Sequence, residues 1–317
     1  MGRLINVAPV RTDFNGGGFV YLSDAFEEFK THMSARGYAQ KTIQTYEDHV
    51  RGFLNYVDNK ANGYIPDDCS RFPAFNVNRL LILEWEARLR QRGNCDTTVR
   101  TKVKSLKTFL YWCMNDEQGY CAYFHISLPK AVERLKELYT KEEIEAILAE
   151  PKSKDLSEWR NWAAVNTILR TGLRRASVCE IKWDDIDFES QRLLMRHSKT
   201  RKQFFVPLPK ALIKVLLQWK EISPDTKDGY VFFSTYTEGK LQPNSLTQAI
   251  RKYNLKRGVG KTSVHLMRHS YATIYLKKGG QIGKLQKILG HESIEMTQKY
   301  VHYLTDDLIE DINEYTV

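Results

Sequence analysis

Apolar residues recur at helical spacing in four runs along the first part of the chain. The first run begins behind Ser23, whose hydroxyl can cap a helix, and it ends at Gly37. The other three runs cover residues 43–57, 80–89 and 99–112. A stretch rich in Asn, Asp, Pro and Gly at residues 59–75 indicates a long loop within this series. The pattern predicts a bundle of four amphipathic helices behind a flexible arm at residues 1–18.

The second part of the chain opens on a helix start signal. Thr140 and Glu143 have the spacing of a capping box, and we place a domain boundary just before them. The rest has mostly helical spacing, but three short segments read as extended strands: 186–188, 192–196 and 203–206. A polar, basic turn at residues 198–202 separates the last two. The predicted domains are an arm at 1–18, a helical domain at 19–125, a linker at 126–138 and a second domain at 139–317.

The charge balance points to a polyanionic partner. The chain has 48 Lys and Arg residues against 38 Asp and Glu residues, a net charge of +10 and a pI near 9.2. Clustered basic side chains displace the counterions that condense on phosphates, so nucleic acid is favoured over an anionic membrane surface. The N-terminus lacks a secretion signal and no run of about 18 apolar residues occurs. We therefore expect a cytoplasmic protein, associated with the nucleoid in a prokaryote.

The cysteines argue against disulfides and zinc. There are five of them, an odd number, and none forms a Cys-x-x-Cys pair. We expect all five to be reduced.

An unusual combination of residue types lies near the C-terminus. His265, Arg268, His291 and Tyr300 fall within some forty residues. Guanidinium groups match a phosphodiester with paired donors and stay charged at any working pH. His265 precedes Arg268 by three residues, so both can emerge from one helix face. Tyr300 follows His291 by nine residues across a short turn, where a phenol is a plausible nucleophile.

These residues resemble the C-terminal signature of the tyrosine recombinases, the lambda-integrase-like family. The matching motifs are His265-Leu266-Met267-Arg268, Leu289-Gly290-His291 and Tyr300. Thr171-Gly172-Leu173-Arg174, followed by Trp183, resembles the segment with the first catalytic arginine of the family. Ser198-Lys199-Thr200 resembles the hairpin with the catalytic lysine. The resemblance implies six catalytic residues: Arg174, Lys199, His265, Arg268, His291 and Tyr300.

The resemblance also implies a mechanism. Arg174 and Arg268 would stabilise charge on the scissile phosphate while Tyr300 attacks it, forming a 3′-phosphotyrosine. Lys199 would protonate the departing 5′ oxygen. One histidine, His265, would accept the tyrosine proton. The second, His291 of the Leu-Gly-His motif, would hydrogen-bond the phosphate.

The implied architecture is mainly α-helical with a small antiparallel β-sheet. A four-helix, SAM-like core-binding domain would precede an α+β catalytic domain, and the two would clamp around double-stranded DNA. The layout is Xer-like or transposon-type, without an arm-binding domain. Recombination between specific sites would pass through a Holliday junction in a homo-tetramer on two DNA sites. No cofactor and no metal are expected. The acidic tail has Leu304, Leu308 and Ile312 at helical spacing, and this C-terminal helix is expected to dock on a neighbouring protomer.

Contacts to DNA outside the active site are expected mainly with phosphates. The candidates are Lys41, Thr42, Arg100, Lys102, Lys104, Arg201 and Lys202. The first five lie on the second and fourth predicted helices, and the last two lie in the hairpin turn.

Several alternatives stay open at this stage. The same chemistry serves type IB topoisomerases and telomere resolvases, and a basic helical regulator would bind DNA without cutting it. Tyr303 and Tyr315 are rival nucleophiles that the motif spacing disfavours. Ser177 stands where the family usually has a glutamate, which puts a supporting hydrogen bond in doubt. Gly258–Thr262 mimics part of a phosphate-binding loop but lacks its first glycine, and the histidines lack a His-Glu-x-x-His zinc motif.

Overall fold

A computed structural model of the chain describes residues 20–61, 71–115, 117–131, 137–196 and 203–301. The chain divides into two compact units, Met1–Arg134 and Leu135–Val317. The predicted arm at residues 1–18, the hairpin turn at 198–202 and the C-terminal tail lie outside the described residues. The domain boundaries drawn from the sequence stay predictions.

The N-terminal unit contains the four predicted helices. They are α1 (Leu22–Ala35), α2 (Gln40–Ala61), α3 (Arg79–Gln91) and α4 (Asp96–Cys113), with a short 3₁₀ turn at Ala74–Asn76. The predicted cap at Ser23 is wrong, because α1 already begins at Leu22. The Leu22 amide donates to the carbonyl of Phe72 at 2.8 Å, and the Ser23 hydroxyl accepts from Arg71 at 3.0 Å instead.

An aromatic cluster fills the centre of this unit. The Phe109 ring of α4 lies 5.1 Å from Phe26 and 5.5 Å from Phe29 between ring centroids. The predicted apolar face of α4 is confirmed, since its members are fully buried: Val99, Val103, Leu106 and Leu110. Burial of such side chains supplies the main favourable free energy of folding. The basic residues of α4 are thereby kept off the core face.

The chain after α4 still belongs to this core. Tyr120, Cys121 and Ile126 are buried with the helices, and the Lys107 ammonium donates to the carbonyl of Ile126 at 2.7 Å. Ile126, the first residue of the predicted linker, therefore packs as part of the N-terminal unit.

The C-terminal unit combines helices with a small sheet. Its helices are α5 (Lys141–Leu148), α6 (Leu156–Thr171), α7 (Arg175–Val178), α8 (Lys210–Ile222), α9 (Pro243–Lys256), α10 (Val264–Lys277), α11 (Ile282–Leu289) and α12 (Glu295–Gln298). Its strands are β1 (Ile186–Asp187), β2 (Arg192–Met195) and β3 (Phe204–Pro207), paired antiparallel in the order β1-β2-β3. This confirms the predicted fold class, mainly α with a small antiparallel sheet.

The start of α5 follows the predicted capping box. The Thr140 hydroxyl accepts from the amide of Glu143 at 3.2 Å, and the Glu143 carboxylate accepts from the amide of Thr140 at 2.9 Å. Two amides that lack helical partners are thus satisfied reciprocally.

Helix α6 is the centre of this unit. It packs against α5, α8, α9 and α10, and its residues are buried on nearly every side. Such all-round burial is typical of a core helix. Its position fixes where the chain emerges after Thr171, which is the segment with the predicted first arginine. Over the described part of the chain, no helix combines the length and apolar character needed to cross a bilayer.

Candidate active site

The first arginine is delivered by the end of α6. Gly172 ends this helix in the left-handed conformation, with φ of 66°, and the chain then turns to Arg174 at the start of α7. The half-buried Arg174 donates from Nη1 to the carbonyl of Leu289 at 3.4 Å. Its neighbour Arg175 is exposed and bonds the Thr247 hydroxyl at 2.9 Å. Arg174, not Arg175, therefore faces the other predicted site residues.

The second arginine lies on α10 and is only 2% exposed. Arg268 donates from Nη1 to the carbonyl of Gly172 at 2.5 Å and from Nη2 to the carbonyl of Leu289 at 3.1 Å. The guanidinium groups of Arg174 and Arg268 therefore meet at one carbonyl oxygen, that of Leu289.

Among the described residues, the hydrogen-bond partners of the two cations are neutral groups. They are the carbonyl oxygens of Gly172 and Leu289 and, for Arg268, also the imidazole of His291 and the side chain of Tyr300. Burial, and then repulsion from Arg174, lower the pKa of Arg268 to about 10, while Tyr300 acts in the opposite direction. Arg268 stays charged near neutral pH. A pair of close cations with only neutral partners is suited to binding an anion.

His291 follows the C-terminus of α11, where Gly290 adopts a left-handed conformation with φ of 60°. Its Nε2 lies 2.7 Å from Nη2 of Arg268, and its Nδ1 lies 2.8 Å from the hydroxyl of Thr297. Because a guanidinium only donates, Nε2 accepts and the imidazole hydrogen sits on Nδ1. Burial and the charges of Arg268 and Arg174 lower the pKa of His291 to about 4.

The loop that holds His291 also touches the sheet. The Phe204 ring of β3 packs on Gly290 so closely that a β-carbon there would lie 2.8 Å from the ring. Glycine suits this position both because it lacks a β-carbon and because it adopts the left-handed φ without strain.

Tyr300 is buried beside these groups, with 4% of its surface exposed. Its amide donates to the carbonyl of Thr297 at 3.0 Å. Its ring is parallel to that of His291, with centroids 6.1 Å apart and 9° between planes. The edge of a second imidazole, His269, meets it at 5.0 Å and 72°. The structure thus brings Tyr300 together with Arg174, Arg268 and His291.

His265 lies further out. It is exposed on α10, and its Nε2 is 3.1 Å from Nε2 of His269. His269 therefore contacts both His265 and the Tyr300 ring.

Sequence reasoning missed three contributors to the site. They are His269, the Thr297 hydroxyl and the carbonyl of Leu289. His269 lies four residues after His265, and on a helix this spacing places both imidazoles on one face, which is a signal that the sequence does contain. Thr297 precedes Tyr300 by one helical turn, which could also have been noticed. A carbonyl oxygen leaves no signal in the residue types.

The structure does not test every predicted site residue. Lys199, Arg201 and Lys202 lie outside the described residues. Ser177 lies half-buried in α7, where its carbonyl accepts the Glu180 amide at 3.1 Å. Among the described residues, no group of three or more His, Cys, Asp or Glu could hold a metal.

The five remaining DNA-binding candidates lie on the N-terminal unit. Lys41 is exposed and Thr42 half-buried in the first turn of α2. On α4, the exposed Arg100 donates to the carbonyl of Pro129 at 2.7 Å, so part of its guanidinium is already used. Lys102 is half-buried and its charge contributes to lowering the pKa of His49. Lys104 is exposed.

This combination of a helical unit, a small sheet and an arginine, histidine and tyrosine cluster defines a DNA-cleaving and rejoining enzyme of the tyrosine recombinase type. The model of the phage integrase family matches residues 137–306, more than half of the chain. The chain belongs to this family, whose members include the tyrosine recombinases.

Individual relatives agree with this assignment. Tyrosine recombinase XerA of Pyrococcus furiosus is 29% identical over 292 residues, which cover 91% of this chain and 92% of the relative. A crystal structure of a lambda integrase dimer bound to a COC′ core site shares the fold with a TM-score of 0.68 at 20% identity, over 89% of this chain and 95% of that one. A crystal structure of a lambda integrase tetramer bound to a Holliday junction has a TM-score of 0.68 at 19% identity, over 89% of this chain and 77% of that one.

The turn at Gly172 yields a first testable prediction. A β-carbon there would lie 2.6 Å from Leu289 and would also strike the Tyr271 ring. Gly172→Ala should therefore lose about 1–3 kcal/mol through backbone strain and a similar amount through overpacking. Gly258→Ala is the matched control, because Gly258 has φ of +75° with nothing within 4 Å. Urea unfolding measures both variants, and an equal loss would contradict this packing.

The environment of His291 yields a second prediction. Its pKa is about 4 in the folded chain against 6.5 ordinarily, so the unfolded chain binds more protons between these values. The free energy of unfolding should therefore fall as the pH is lowered from 6.5 towards 4. His291→Gln should reduce this fall, whereas replacement of the exposed His125 by Gln should not. Urea midpoints measured across this range test the expectation, and parallel curves for His291→Gln and the unaltered chain would refute it.

Proposed function

We propose that this tyrosine recombinase recombines specific DNA sites and that Arg174, Lys199, His265, Arg268, His291 and Tyr300 carry its chemistry. The observation that supports this most directly is the meeting of Arg174 and Arg268 at the carbonyl of Leu289, beside a buried tyrosine. A phosphodiester transition state spreads negative charge over its non-bridging oxygens. Two guanidinium groups held in place before DNA binds lower the cost of gathering that charge.

Tyr300 is the proposed nucleophile. Its oxygen forms a bond to the scissile phosphorus, the 5′ oxygen leaves, and a 3′-phosphotyrosine results. His265 takes the phenolic proton and Lys199 gives a proton to the leaving oxygen. His291 hydrogen-bonds the phosphate. In this structure its Nε2 accepts from Arg268, so a hydrogen bond donated from Nε2 to phosphate requires a change of tautomer or a second proton.

The phosphotyrosine bond also explains why no cofactor or metal is proposed. The link keeps the energy of the phosphodiester, so a 5′ hydroxyl can attack it and restore DNA without nucleotide hydrolysis. If that hydroxyl belongs to a second duplex, strands are exchanged.

The proposed assembly is a homo-tetramer on two DNA sites that passes through a Holliday junction. The lambda integrase tetramer bound to such a junction, which shares the fold, supports this proposal. The tail with Leu304, Leu308 and Ile312 would dock as a helix on a neighbouring protomer. The core-binding domain (19–125) and the catalytic domain (139–317) would clamp around the double helix. The protein would act in the cytoplasm, at the nucleoid.

The proposed DNA contacts outside the site are those of Lys41, Thr42, Arg100, Lys102 and Lys104, together with Arg201 and Lys202 of the hairpin turn. Exposed lysines contribute chiefly through phosphates, which fix the position of a protein on DNA without reading sequence.

Covalent trapping tests the catalytic proposal. On a duplex nicked close to the cleavage point, the short end diffuses away and the protein stays attached to DNA. The unaltered chain should form this adduct without metal, and Tyr300→Phe should abolish it because the nucleophilic oxygen is gone. Denaturing electrophoresis measures the adduct.

The rival tyrosines supply the controls for trapping. Tyr303→Phe and Tyr315→Phe should still form the adduct. An adduct that survives in Tyr300→Phe overturns the assignment of the nucleophile, and no adduct with any sequence favours a non-catalytic regulator. Joining of strands between two duplexes separates recombination from the relaxation of a topoisomerase.

Salt dependence tests the proposed contacts of the N-terminal unit. Lys41→Ala and Lys104→Ala should weaken binding to all DNA sequences alike and reduce the slope of log K against log salt by about 1 each. Lys30→Ala is the control, because the Lys30 ammonium lies 2.8 Å from Glu27. Fluorescence anisotropy at several salt concentrations gives the slopes. Slopes that do not change would remove these lysines from the interface.

A further inference from the structure

The ring of Tyr300 contacts two imidazoles. His291 stacks on one face at 6.1 Å, and the edge-to-face contact with His269 has a centroid distance of 5.0 Å and an angle of 72°. His291 already has a proposed role at the phosphate. His269 has none, although it is half-buried and packs directly on the proposed nucleophile.

His269 also contacts the proposed base. His265 and His269 are four residues apart on α10, with their Nε2 atoms 3.1 Å apart and ring centroids 4.6 Å apart at 82°. A hydrogen bond between two Nε2 atoms needs one hydrogen, so one ring donates and the other accepts. The bond therefore fixes complementary tautomers in the two neutral rings, and it is lost when both rings are protonated.

We infer that His269 is a positioning residue for DNA cleavage, which orients the His265 imidazole through the hydrogen bond between their Nε2 atoms. This inference rests on the proposed roles of His265 and Tyr300. Helix α10 makes the arrangement rigid, because positions four apart face the same way and Arg268 anchors the helix through the carbonyls of Gly172 and Leu289.

Two guanidinium groups lie close to the pair of imidazoles. Arg268 is the neighbour of His269 on α10, and Arg174 lies beside Arg268 from the end of α6. Among the described residues, Tyr300 packs on His269, and His291 packs on Tyr300. A proton added to both rings would place further positive charge near two guanidinium groups and break the bond between the imidazoles. The rate of cleavage should therefore fall on acidification. This fall should be smaller when His269 is replaced by a residue that does not titrate.

Two substitutions separate positioning from packing. His269→Phe keeps an aromatic ring against Tyr300 but removes the hydrogen bond to His265. His269→Gln removes the ring but keeps a group that can hydrogen-bond and does not titrate. The readout is the single-turnover rate of adduct formation on the nicked duplex with DNA saturating, together with DNA affinity and thermal unfolding.

The inference predicts that His269→Phe loses roughly 10- to 100-fold in rate at unchanged DNA affinity, the range seen when a partner that orients a metal-bound histidine is removed. His269→Gln should recover most of the rate and should lose less activity than the unaltered chain on acidification. His269→Phe should remain slow on DNA with a 5′-bridging sulfur at the cleaved bond, because a thiolate leaves without a proton while the phenol still has to lose one. Lys199→Ala, in contrast, should regain activity on that DNA.

The possible results discriminate clearly. A His269→Phe rate equal to that of the unaltered chain shows that packing alone is required and overturns the inference. If His269→Phe loses DNA affinity but keeps its rate of adduct formation, His269 contacts DNA instead, and the inference is overturned as well. If His269→Phe does not fold, His269→Gln provides the test. A rate of adduct formation that falls on acidification as much in His269→Gln as in the unaltered chain is incompatible with the proposed role. Failure of the unaltered chain to form a Tyr300-dependent adduct would instead overturn the proposed function.

Discussion

The interaction on which the site depends is the convergence of two guanidinium groups on the carbonyl of Leu289. Like charges repel, and burial removes the water that would screen them, so this arrangement needs a rigid frame. The frame consists of α6, α10 and α11. Left-handed turns at Gly172 and Gly290 end α6 and α11 close to that carbonyl. The cost of bringing the cations together is thus met by the folding of the unit before any phosphate is bound.

Much of this could be predicted from the sequence because it depends on periodicity and on residue chemistry. The four helices of the first unit, the buried face of α4 and the capping box at Thr140 follow from local spacing, and the structure confirms them. The cluster of Arg174, Arg268, His291 and Tyr300 was predicted from motif order, since charge and nucleophilicity belong to residue types. Lys199 and the C-terminal tail stay predictions.

The rest depends on contacts between distant parts of the chain. The start of α1 is set by a hydrogen bond from Leu22 to Phe72, which no local pattern around Ser23 reveals. The tautomer of His291 follows from its two partners, Arg268 and Thr297. The local sequence does not show that these two side chains contact His291. It therefore predicts that His291 belongs to the site but not which nitrogen of its ring carries the hydrogen.

The contact between Phe204 and Gly290 links the sheet to the loop that holds His291. Strand β3 leads directly out of the turn at residues 198–202, and its first ring rests on the backbone next to His291. A larger residue at position 290 would have to displace the Phe204 ring or the loop itself. The strand and the position of the His291 imidazole therefore constrain each other.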